Sequence, residues 1–142
     1  MEFTEKTQAV SASYRLIAGR ILNRANDLFV AKIISNEQYN KASLQYLSLI
    51  QKAVDINMAA AHALENQLDV KLDEIEKATE NLTKVSERLA KAAQIVELSG
   101  KIVAAAALVV AAIFDPTKVS AAAAAAAVLA VVKAISDSVP GE

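Results

Sequence analysis

Apolar residues recur at helical spacing along almost the whole chain. Val10, Tyr14, Ile17, Ile21, Ala25 and Leu28 fall on one stripe, widened by Leu22, Phe29 and Ile33. They predict a first helix over residues 4–34. Gly19 lies inside it, either to admit a close neighbour or at a cost of about 1 kcal/mol relative to Ala. Ser35-Asn36-Glu37-Gln38 then reads as a capping box, with Ser35 at the N-cap and Gln38 reaching back from the third helical position.

Beyond it, residues 36–99 carry the most regular pattern in the chain. Stepping by seven from Leu47 meets Val54, Ala61, Leu68, Ile75, Leu82, Leu89 and Val96, all apolar. The companion series Ile50, Asn57, Leu64, Lys71, Ala78, Val85 and Ala92 is apolar at all but Asn57 and Lys71. A 3.5-residue repeat held this long predicts left-handed, coiled-coil-like packing along a self-association seam. No Gly or Pro lies between Gly19 and Gly100. One continuous helix over 36–99 would be roughly 95 Å long at about 1.5 Å per residue. A first helix of about 46 Å could cover only half of it. The remainder needs the C-terminal segment, a second chain, or a bend without a Gly or Pro signature.

The C-terminal third is apolar nearly all round. Ile102, Val103, Leu108, Val109, Ile113 and Phe114 stand among alanines in one arm, and Val128, Leu129, Val132 and Ile135 follow the seven alanines 121–127 in the other. Asp115, Lys118 and Lys133 are the only charges in residues 102–135. Asp115 is a good N-cap and Pro116 suits the first helical position. The layout is a helical hairpin, 101–114 and 116–138, turning at Asp115-Pro116, with Pro140-Gly141 closing the chain. Helices of this kind are either deeply buried or in lipid. A spanning helix needs about 20 apolar residues, and the arms offer runs of 13 and 17. Alanine anchors weakly in lipid, whereas alanine faces permit close helix–helix approach.

Composition narrows the chemistry. The chain of 142 residues has no cysteine, which excludes disulfides, thiolate metal sites and thiol catalysis, and one histidine, His62. Fifteen basic residues face sixteen acidic ones, which argues against general nucleic-acid binding. His62 lies one residue past a heptad core position and reads as a flank of the seam. The acidic run Asp69, Asp73, Glu74, Glu76 and Glu80 reads as a solvated helix face, since a straight helix cannot wrap a cation. Arg15, Arg20 and Arg24 give the first helix a basic face, whose simplest use is to lie beside the acidic second helix. A weak phosphate contact is their sharper use. No phosphate loop, dinucleotide fingerprint or serine elbow is present. The chain therefore reads as non-enzymatic, with no catalytic, cofactor or metal residues. The opening Met-Glu-Phe-Thr-Glu-Lys-Thr-Gln lacks the basic flank and apolar core of a signal peptide, so any exported fate is expected to need another route.

The segment Ile102–Phe114, Asp115-Pro116-Thr117, Val119–Ile135 resembles the hairpin of coat proteins of spindle-shaped archaeal viruses, which are small, helical and alanine-rich. That resemblance covers roughly the last 40 residues and the polar half in outline, and implies a self-assembling shell subunit. The order of a long heptad helix followed by an apolar hairpin also resembles the α-helical pore-forming toxins, which implies a hairpin that leaves a soluble bundle for lipid.

The expectation is thus a single all-α domain with long antiparallel helices, a heptad seam and an Ala-rich C-terminal hairpin, four-helix-bundle-like. Its expected partner is itself. In that case a charge at Ala106 or Ala124 should block assembly while the N-terminal helices stay folded. A membrane-inserting hairpin and a soluble dimeric adaptor are the alternatives.

Overall fold

The computed structural model describes residues 2–91 and 94–138. Ala92 and Pro140-Gly141 lie outside the described residues. The first stripe folds as expected into α1, Phe3–Val30, and Val10, Tyr14, Ile17, Ile21, Ala25 and Leu28 are all buried. Phe29 and Ile33 are not part of that stripe. Both are exposed, Phe29 stacking on Tyr39 at a centroid distance of 4.7 Å, and Ile33 lying beyond the helix end. A Cβ at Gly19 would meet nothing within 4 Å, so this glycine admits no close neighbour. The capping box is complete: Gln38 N–H donates to Ser35 Oγ at 3.1 Å, and Ser35 N–H donates to Gln38 Oε1 at 2.8 Å.

The expected helix over 36–99 is instead divided. It begins as α2, Asn36–Glu65, resumes as α3, Asp73–Val85, tightens into a 3-10 segment, Ser86–Lys91, and restarts as α4, Ile95–Phe114. The first break is a Schellman-type end. Leu68 N–H donates to Ala63 O at 2.9 Å and Gln67 N–H to Leu64 O at 3.3 Å, around Gln67 at φ 53°. Lys32, at φ 61°, ends α1 in the same way. The second break coincides with a contact through space. Arg20 Nη1 donates to Thr83 O at 2.6 Å and Ser86 Oγ donates to it at 2.6 Å. Both compete for the carbonyl that a continuing α-helix would give to Glu87 N–H.

The last helix is α5, Ala121–Ser138. Its N-cap is Ser120, whose Oγ accepts from Ala123 N–H at 3.0 Å. Asp115 and Pro116 therefore sit in the six-residue turn 115–120 and do not start the helix. The Asp115 carboxylate accepts from Thr117 Oγ1 at 2.6 Å and Thr117 N–H at 3.2 Å, so it caps the turn.

Five α-helices and no strand occur among the described residues. Their principal contacts close a ring in the order α1, α2, α4, α5, α3 and back to α1. Named pairs fix the directions. Ser11 Oγ donates to Ala53 O at 2.8 Å and Tyr39 Oη to Asn26 Oδ1 at 2.6 Å, so α1 and α2 are antiparallel. Gln45 meets Ser99, and His62 stacks on Phe114, so α2 and α4 run parallel. Lys6 reaches Asp73 and Arg20 reaches Thr83, so α1 and α3 run parallel. Ile75, Leu82, Ile102, Val109, Val128 and Ile135 fill the centre.

Candidate self-association surface

The seam residues do not share one environment. Leu47 is exposed and Val54 half-buried on the outer face of α2. Leu68 is half-buried in the α2–α3 loop. Ile75 and Leu82 on α3 and Leu89 in the 3-10 segment are fully buried, and Val96 is half-buried at the start of α4. The C-terminal half of the series thus supplies the protein's own core. The N-terminal half looks outward.

The hairpin divides along its length in a different way. Ile102, Val109 and Ile113 on α4, with Val128 and Ile135 on α5, point into the ring and are buried. Val103 and Val132 are half-buried. Leu108, Phe114 and Leu129 are exposed, Leu108 at 40% and Leu129 at 45%. The outer side of α5 presents Ala122, Ala123, Ala126, Leu129 and Ala130, all exposed. Between the two arms runs a shallow groove of about 370 Å³ along Ala104, Leu108, Ala127, Ala130, Val131 and Ala134. Ala106 and Ala124 are fully buried, so a charge at either strikes the core, and the surface is probed instead at Ala126 and Leu129.

Little charge interrupts this face. Lys101 pairs with Glu97 at 3.5 Å near the start of α4, and Lys133 lies exposed near the end of α5. At the turn, the Thr117 hydroxyl holds the Asp115 carboxyl below the usual carboxylate range, helped by the Thr117 and Lys118 backbone N–H groups and the Lys118 charge. Both helices, of 20 and 18 residues, are long and apolar enough to cross a membrane by length and composition.

Polar groups elsewhere serve the fold. His62 lies flat on Phe114, with ring centroids 4.2 Å apart and planes at 16°, and thereby fastens the end of α2 to the hairpin turn. Its Nδ1 lies 3.3 Å from Asn66 Nδ2, which donates at 2.9 Å to His62 O. The sequence marks the histidine only as a flank of the seam and carries no sign of this stack, because Phe114 is 52 residues away. Arg20 is held by Thr83, Ser86 and, at 3.5 Å, Glu87. Lys6 pairs with Asp73, which raises the lysine's pKa and lowers the carboxyl's. Of the basic groups of α1, Lys6 and Arg20 are thus answered by acidic groups on α3 and the 3-10 segment, while Arg15 is exposed and Arg24 half-buried with no acidic partner among the described residues. Asp73, Glu74 and Glu76 occupy the first turn of α3, where the helix dipole favours negative charge. Among the described residues no group of three or more His, Asp or Glu could hold a metal ion.

Burial pushes the Tyr14 phenol up to about 12, with the Thr79 hydroxyl beside it acting weakly in the opposite direction. Neither hydroxyl finds a hydrogen-bond partner of good geometry. No protein-family model, curated protein or solved structure matches this chain, so the surface is read from its own residues.

Proposed function

We propose that this protein is a non-enzymatic structural subunit that assembles with copies of itself through the outer face of the α4–α5 hairpin. A coat or shell subunit is the kind of protein this describes. The observation that carries the reading is the composition of that face: α5 turns a continuous surface of alanine and Leu129 outward, with no charge until Lys133.

Water is a poor partner for such a face, since a solvated helix ordinarily shows charged or polar residues on its outer side. Lipid is a weaker partner than protein. Alanine contributes a single methyl, and burial yields about 0.8 kcal/mol per methylene-sized group. Small side chains gain more from the close approach of another helix, whose ridges fit a shallow groove of this kind.

The test is the sedimentation of Ala126→Glu with Leu129→Glu. Wild-type protein should grow in mass with concentration, and the variant should lose that growth while keeping its helix content. Unchanged growth in the variant counts against the reading.

A second reading rests on the length and apolarity of α4 and α5 together: the hairpin swings away from α2 and α3 and enters a bilayer. It requires the protein to float with vesicles in a density gradient and to release a trapped dye. Tight vesicles at high protein concentration argue it down.

A further inference from the structure

A second apolar face lies on α2. Leu44, Leu47, Gln51, Val54, Met58 and Ala61 are separated by alternating steps of three and four residues, the 3.5-residue spacing of a helix-on-helix seam. All of them stand on the side of α2 away from the ring. Leu44 is 66%, Leu47 58% and Met58 65% exposed. Among the described residues nothing covers these three, while Val54 between them is half-buried. Buried residues of α2, such as Leu49, Ala53, Ile56 and Ala60, lie on the opposite side.

We infer that this stripe is a seam for the α2 helix of a second copy, separate from the hairpin face. Three observations favour an identical helix as the occupant. The spacing is that of a pair of helices and not of a flat contact. The lysines bordering it are neutralised within the helix, Lys41 by Glu37 at 3.4 Å and Lys52 by Asp55 at 3.9 Å, and the stripe ends at the exposed Glu65. Those flanks offer no field to select a charged partner, and they lack the free Lys and Arg of a helix that lies on a membrane. Gln51 is the one polar residue within the stripe, as in helix pairs where a single buried amide sets register.

The consequence concerns the form of the assembly. In the ring, α4 stands between α2 and α5, so the two faces look in different directions. A subunit with one self-complementary face stops at a dimer. A subunit with two continues into an open chain or sheet. This inference rests on the assembly reading for the hairpin face and adds the α2 face to it.

Sedimentation velocity of two double variants separates the claims. Leu47→Glu with Met58→Glu should stop at twice the subunit mass of 15.0 kDa, joined by hairpins. Ala126→Glu with Leu129→Glu should stop at the same mass, joined by α2. Combining all four substitutions should leave monomers. If the α2 variant grows as the wild type does, the α2 seam is overturned and the hairpin reading stands. If only the hairpin variant grows unchanged, the hairpin reading falls and the α2 seam stands. A wild type that is monomeric at every concentration overturns both. Leu47→Gln with Met58→Gln tests the same seam should the charged pair lower helix content.

Discussion

Leu47 and Leu82 occupy equivalent places in one seven-residue series, and one is 58% exposed while the other is fully buried. The first half of the series sits on α2, whose own core contacts come from Leu49, Ala53 and Ile56. The second half sits on α3, the 3-10 segment and the start of α4, and its α3 members lie between α1 and α5. A heptad repeat therefore shows that a stripe can pack against a helix. It does not show whether that helix belongs to the same chain. The breaks at 66–72 and at the 3-10 segment Ser86–Lys91 decide this, because each re-aims the helix that follows.

The largest expected effect comes from opposite treatment of the two halves. Leu82→Ala should cost about 2–5 kcal/mol through the cavity it leaves, whereas Leu47→Ala should stay within about 0.5 kcal/mol. Urea unfolding of dilute protein measures both, and equal losses would break the comparison.

Alkali sharpens the buried side. The Tyr14 phenol ionises near its ordinary value of 10.0 when unfolded and at about 12 when folded. A raised folded value means that this stability is present below pH 10 and is lost as pH rises from 10 to 12. By pH 12 the loss is about 2 kcal/mol. Urea titrations at pH 9 and pH 12 should show it in the wild type and not in Tyr14→Phe.

Two helix substitutions are smaller. Gly19→Ala meets open space and should stabilise α1 by about 0.5–1 kcal/mol. Ser120→Ala removes the α5 N-cap and should destabilise by about 1 kcal/mol. Thermal unfolding resolves both signs. Smallest of all is Lys6→Met, which removes an exposed pair with Asp73. Its effect should fade in high salt.

These contrasts mark what can be read without coordinates. The α1 stripe and the Ser35–Gln38 box are local in sequence, and both were legible. The α2 break was not, because Gln67 takes the left-handed position at φ 53° that glycine or asparagine usually signals. The α3 break was hidden for another reason: Arg20, 63 residues from Thr83, binds the carbonyl there. At the hairpin, the sequence pointed to Asp115-Pro116 as the helix start and did not single out Ser120. Asp115 commits its carboxylate to Thr117, and Ser120 takes the cap. The hairpin was visible as two apolar runs. Its inward and outward sides were not, since alanine appears on both.

Because the chain has no cysteine, single introduced thiols report one position at a time. The most direct measurement is the maleimide reaction rate of Leu47→Cys and Leu82→Cys over a range of protein concentrations. A seam between copies requires Leu47→Cys to react fast in dilute protein and to slow as concentration rises, with Leu82→Cys slow throughout. A Leu47→Cys thiol that reacts slowly when dilute, or at a rate indifferent to concentration, would contradict an outward α2 face covered by a second copy.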